Sequence, residues 1–117
     1  MEFRTSTVLK IYTGEDVVLE GRPLYKTVLA KAYELGLAGA TVTKGIAGYA
    51  TQKRGLGRAV NTLFSGMENL PVVIEIVDSR ENLEKLLPYL EKNAKHCFIT
   101  IKDCTYLVTD YLRNEVL

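Results

Sequence analysis

The chain has 117 residues, 47% of them hydrophobic and 25% charged, with a formal net charge of +1. That length suits one domain spanning 1–117, large enough to bury roughly two-thirds of its unfolded surface. The near-zero charge excludes a whole-molecule field that would draw in nucleic acid or a membrane surface, so any cationic function has to be local.

No apolar run reaches the roughly 18 residues of a membrane span, so no direct membrane insertion is expected. The opening MEFRTSTVLKIY lacks the apolar core of a secretory signal, and a cytoplasmic location is expected. Cys97 and Cys104 are the only cysteines and His96 the only histidine. These are too few for a disulfide scaffold or a structural zinc site, so buried or edge thiols and no metal are expected.

Arg4 to Tyr12 alternates, with Thr5, Thr7, Leu9 and Ile11 on one side and Ser6, Val8, Lys10 and Tyr12 on the other. This is the period-two pattern of a strand. Thr13-Gly14-Glu15-Asp16 reads as a turn into a short connection ending at Gly21. Pro23 suits the first turn of a helix. Leu24, Val28, Ala32 and Leu35 then share one face, and Gly36 stands where such a helix stops. Ala38 to about Thr51 is rich in Thr, Val, Ile and Tyr and is predicted to be a second strand, with Gly45 or Gly48 marking a bulge. Gln52 to Asn69 shows no clean period and is predicted to be a long, mobile connection.

Pro71 opens VVIEIVD, the strongest strand signal in the chain. Ser79 can cap the next helix, in which Leu83, Leu86, Leu87 and Leu90 recur at helical spacing. Pro88 falls inside that pattern, so a kink or early end is expected. His96 to Ile101 is predicted as a fourth strand, Lys102-Asp103 as a turn, and Thr105 to Leu112 as a fifth strand or edge extension.

The predicted order is β-α-β-β-α-β, the α+β ferredoxin-like pattern with a four-stranded antiparallel sheet and a C-terminal strand extension. Such a sheet carries both helices on one face. Yet Val72, Ile74 and Ile76 oppose Val73 and Val77, and Phe98 opposes Ile99 and Ile101, so both faces are apolar. An uncovered apolar face of that size is avoided by soluble monomers, and burial against another subunit is expected.

The segment Gly36 to Gly57, GLAGATVTKGIAGYATQKRGLG, holds six of the nine glycines and no acid. The acid-free run extends from Leu35 to Met67, and Lys44, Lys53, Arg54 and Arg58 fall inside it. Glycines let a backbone approach a ligand closely, and unopposed cations beside free N–H groups suit an anion. A strand with a bulge followed by a solvated basic loop accounts for the same residues. No phosphate-loop signature occurs. Gly55-Leu56-Gly57 begins a dinucleotide fingerprint, but Val60 replaces its third glycine. Lys44 to Tyr49 is faintly similar to an RNA-binding motif but has Ile46 and Gly48 where stacking aromatics are needed, so no nucleic-acid partner is expected. No nucleophile–base pair can be built around His96, and Glu75, mid-strand among Val and Ile, suits an interface salt bridge better than acid–base work. The chain is read as not an enzyme.

Around these residues the sequence resembles known proteins. GLAGATV followed by GYATQKRG is similar to the second strand and loop base of the PII signal-transduction proteins. More closely, the combination of GRPLY, GLAGATV with the following G-I-x-G, and LPVVIEIVD resembles the bacterial "domain of unknown function 190" family, within the PII-like superfamily, over about residues 8 to 105. The resemblance implies a ferredoxin-like homotrimer with its sheets turned inward. It also implies a nucleotide or small anion bound at the clefts between subunits, and signalling through the loop after the second strand. The positions that match the PII ligand segment are Gly39, Thr41, Gly48, Gln52 and Lys53, and Arg54 adds charge beside them. No cofactor beyond such a ligand is implied. Ala50 replaces a PII glycine, and LEKNAKHCFIT stands where PII proteins carry a glycine-lysine phosphate clamp, so weak ATP binding is expected. Genes of this family often neighbour fluoride-exporting channels, which implies a membrane transporter or channel as partner. A small enzyme using the same cleft and a purely structural partner protein are the alternatives.

Overall fold

The alternating N-terminal residues form a long first strand, β1 (Glu2–Gly14), whose Leu9 and Ile11 are fully buried. The computed structural model describes residues 1–48 and 70–117. After β1 comes a two-residue hairpin, β2 (Val18–Leu19) and β3 (Arg22–Pro23). Its turn residues Glu20 (φ 53°) and Gly21 (φ 78°) both adopt the positive φ of a tight primed turn. Pro23 then stands as N-cap of α1 (Leu24–Glu34) rather than within its first turn. Leu24, Val28 and Ala32 form the buried stripe of α1, as their spacing requires. The helix ends on Gly36 (φ 74°), with Leu37 N–H donating to the Ala32 carbonyl at 3.1 Å and Gly36 N–H to Tyr33 at 3.0 Å. Those paired bonds are the Schellman motif, which needs a left-handed residue at that position.

The second predicted strand is shorter than its composition suggests. β4 (Gly39–Lys44) stops before Gly45, so neither Gly45 nor Gly48 is a bulge within it. The cause lies across the ladder. β4 pairs with β5 (Pro71–Asp78) up to Lys44 opposite Val72, and the next partner would be Pro71, which has no N–H to give. Gly45 N–H donates to the Pro71 carbonyl at 2.7 Å and closes the ladder. The predicted connection from Gln52 to Asn69, and the end of the second strand at Thr51, lie outside the described residues.

Ser79 caps the following helix, its hydroxyl accepting from Asn82 N–H at 3.2 Å. The helix is split by Pro88 into α2 (Arg80–Glu84) and α3 (Leu87–Asn93). Pro88 cannot donate to the Glu84 carbonyl, so the chain tightens there, with Lys85 and Leu86 bonding back three residues to Asn82 and Leu83. Leu83, Leu86 and Leu90 still reach the core across the break.

The C-terminal part differs from the expectation. Phe98 to Val108 is one continuous eleven-residue strand, β6, with no turn at Lys102-Asp103 and no separate fifth strand. Lys102 and Asp103 face Val8 and Thr7 in the ladder, and the long partner β1 keeps pairing through them. Local polarity suggested a turn, and strand pairing overrides it. The chain closes in a single π-helical turn, Leu112–Val116, tied by Arg113 to Glu2 at 2.8 Å.

The four long strands run in the order β4-β5-β1-β6, every pair antiparallel, which is the ferredoxin-like arrangement. One face of the sheet packs its Leu9, Ile11, Val72, Ile74 and Ile76 against the helices in a single apolar cluster. Full burial of each such side chain stabilises the fold by roughly 1.5–3 kcal/mol. The other face receives no helix among the described residues. Its cross-strand rows read Thr43–Val73–Tyr12–Phe98, then Thr41–Glu75–Lys10–Thr100, then Gly39–Val77–Val8–Lys102. Phe98 remains 60% exposed there, leaning on Tyr12 with ring centroids 6.1 Å apart.

Candidate ligand site at the sheet edge

Among the described strands β4 lies at the sheet edge, and the acid-free glycine run passes along it. Gly39 stands at its start opposite Val77, and Thr41 is exposed opposite Glu75 on the helix-free face. Gly48 lies beyond the strand's far end, where its φ of 134° excludes most side chains and a Cβ would sit 3.6 Å from the Pro71 ring. Gly39 and Thr41 therefore share a surface, while Gly48 belongs to the turn that leaves the sheet. Gln52, Lys53 and Arg54 lie outside the described residues.

The departure point is organised by a residue of the turn after β1. Glu15 follows the end of β1, and its carboxylate receives the Lys44 ammonium at 2.7 Å and the Leu70 N–H at 3.2 Å. Its own N–H donates to the Leu70 carbonyl at 3.0 Å. Lys44 also lies over the Tyr25 ring, 5.8 Å from the centroid, within cation–π range. One acid thus ties the last residue of β4 to the residue before β5. The Lys44 hydrogen bond holds the Glu15 carboxyl below its ordinary range, and Glu15 in turn raises Lys44. Ferredoxin-like order sets the end of β1 beside the start of β5, so topology was the signal that could have placed Glu15 here.

The opposite end of β4 is fixed by Asp78. Its carboxylate accepts from Ala38 N–H at 2.9 Å, Ser79 N–H at 2.6 Å and the Asn82 side-chain amide at 3.0 Å. Burial pushes this carboxyl up, but the bonds from Asn82, Ser79 and Ala38 and the charge of Lys85 together leave it lowered. The edge strand is therefore anchored by a carboxylate at each end, with Gly39 and Thr41 between them.

Other surfaces are less suited to an anion. A cleft of about 480 Å³ lies between the N-terminus and the C-terminal turn, lined by residues including Glu2, Asp110 and Arg113. Arg113 is already paired with both acids at 2.8 Å. Cys97 and Cys104 are free and half-buried, and burial pushes the Cys97 thiol up, away from the reactive thiolate. Among the described residues no cluster of acids, cysteines and histidines could hold a metal ion, and no helix is long and apolar enough to cross a membrane.

Comparison with known proteins agrees with this architecture. Residues 6–106 match the family model described as DUF190, uncharacterized ACR. A UPF0166 protein of Aquifex aeolicus is 41% identical over 96 residues, which cover 82% of this chain and 88% of the relative. UPF0166 protein MJ1524 of Methanocaldococcus jannaschii is 41% identical over 83% of this chain and 87% of its own. Among solved structures, CPII from Thiomonas intermedia K12, bound to ADP, AMP and acetate, superposes with a TM-score of 0.64 at 12% identity. That match covers 92% of this chain and 93% of CPII, and at such identity it establishes a shared PII-like fold.

Proposed function

The chain belongs to the domain of unknown function 190 family, and from that premise we propose that it is a non-enzymatic, PII-like regulatory protein. In this reading it assembles as a homotrimer through its helix-free sheet face. It holds a small anion or an adenine nucleotide where two subunits meet, and it signals occupancy through the segment after β4 to a partner such as a membrane transporter or channel. One observation carries the reading. The acid-free, glycine-rich run passes along β4, the edge of the described sheet, which is anchored at both ends, and leaves the sheet beside a cation, Lys44. Such an edge offers backbone groups and the Thr41 hydroxyl to an anion, and the charge of Lys44 in competition with Glu15. The ADP, AMP and acetate named for CPII supply the ligand classes to try. The absence of a PII-type glycine-lysine clamp in LEKNAKHCFIT makes ATP the weaker candidate, with an affinity expected in the high micromolar range or beyond, roughly.

Thermal unfolding in the presence of ADP, AMP, ATP, acetate and phosphate tests this reading. A ligand at about 100 times its dissociation constant adds about 2.7 kcal/mol to stability. The expected result is a clear upward shift with at least one adenine nucleotide or small anion, and recovery of that compound unchanged. Turnover of the compound would make the protein an enzyme that uses the same cleft. No response to any of them would leave the structural partner protein as the better reading.

A further inference from the structure

We propose that Lys10 and Glu75 fix the register of assembly by pairing across the contact between two copies of this chain; the inference rests on the homotrimer reading above. The two residues are ladder partners at the centre of the helix-free face, between a row of Thr43, Val73, Tyr12 and Phe98 and a row of Gly39, Val77, Val8 and Lys102. Both are half-buried within a single chain. Neither forms an ion pair with any described residue. Covering this face would remove both charges from water, and a buried charge left unmatched is strongly destabilising. Within one chain the two lie side by side in the ladder without closing an ion pair, so an occupant that brings an acid to Lys10 and a base to Glu75 matches both.

A second copy of the chain brings both with no further partner. Rotation about a symmetry axis sets Lys10 of one copy against Glu75 of the next, and the same contact repeats around the ring until it closes. Cores of interfaces are depleted in charge, so an acid and a base kept at the middle of an apolar face serve specificity more than affinity. Sliding the contact by one ladder row would set each charge against valines or aromatic rings. The pair thus penalises every register but one.

Gel filtration with light scattering, read across a dilution series, tests the pairing. Wild type is expected at three times the chain mass. Lys10→Glu sets acid against acid and Glu75→Lys sets base against base, so each is expected to raise the concentration of half-assembly by about tenfold or more. The double exchange Lys10→Glu/Glu75→Lys restores opposite charges and is expected to recover assembly. Far-UV circular dichroism and a cooperative melt establish that each variant is folded. Should a reversal fail to fold, Glu75→Gln, which keeps shape and removes charge, is expected to weaken assembly in the same direction. Single variants that assemble like wild type would overturn the pairing, as would a folded double exchange as dissociated as the singles. A monomeric wild type would instead overturn the homotrimer reading.

Discussion

Glu15 and Lys44 meet at 2.7 Å, which ties the turn after β1 to the end of edge strand β4. The second oxygen of the same carboxylate holds Leu70 N–H, so the flanks of the segment between β4 and β5 are joined through one side chain. Any ligand anion that engages Lys44 must compete with Glu15 for it. Ligand occupancy and the geometry at the base of that segment are thereby coupled through named atoms.

Replacing Glu15 with Gln should change global stability little, because the ion pair is partly open to solvent, with Lys44 47% and Glu15 27% exposed. Locally the effect should be larger. Hydrogen exchange at Gly45 and Leu70 should quicken while Ile74 and Ile76 stay protected. The pH dependence has a definite sign. Glu15 is lowered from 4.5, so its tie is complete above that value and is lost as pH falls through the lowered one. Lys44 is raised from 10.5, so its contribution holds below that value and is lost as pH rises through the raised one. Protection at Leu70 that does not fall as the pH drops well below 4.5 would contradict the tie.

Asp78 predicts a clearer loss of stability. Asp78→Ala removes the acceptor for Ala38, Ser79 and Asn82 and should cost about 1–3 kcal/mol in urea unfolding. Ser79→Ala removes only the capping hydroxyl and should cost about 1 kcal/mol. Because the Asp78 carboxyl is lowered from 3.8, its contribution is present above that value and fades as pH falls through the lowered one. The wild-type advantage over Asp78→Ala should therefore shrink in acid. Equal stability of the two proteins at neutral pH would refute the anchoring role.

Backbone and core substitutions separate two kinds of cost. Gly36→Ala meets nothing within 4 Å, so its penalty comes from φ 74° alone and should be about 1–2 kcal/mol. Ile74→Ala opens a cavity in the core between sheet and helices and should cost about 2–5 kcal/mol. Gly45→Ala places a Cβ 2.9 Å from the Pro71 ring, which must shift, and its effect should appear first as faster exchange at Gly45. Calorimetric or urea unfolding of the set orders these costs, and a Gly36→Ala protein as stable as wild type would contradict the helix stop.

Much of the fold was legible in the sequence because burial alternates so regularly. Leu9 and Ile11 against Val8 and Lys10 give β1 and both its faces, and Leu24, Val28 and Ala32 give α1. Errors arose where a distant partner decides. Nothing local to Lys102-Asp103 reveals that Val8 and Thr7 will keep them in a ladder, and nothing local to Gly45 reveals that it faces Pro71. The candidate site was legible as composition more than as geometry. The glycine composition marked Gly39 and Thr41 but not their place on β4, and Glu15 and Asp78 become neighbours of that strand only through topology.

Titration calorimetry of ADP into the wild-type protein, Lys53→Ala and Lys92→Ala is the most direct measure of the proposed function. A saturable heat is expected for wild type with ADP recovered intact, and an affinity about tenfold weaker once the Lys53 charge is lost. Lys92 is exposed on α3, away from β4, and its removal should change nothing. No saturable heat for wild type, or equal affinity for wild type and Lys53→Ala, would contradict an adenine-nucleotide site built on the glycine-rich run.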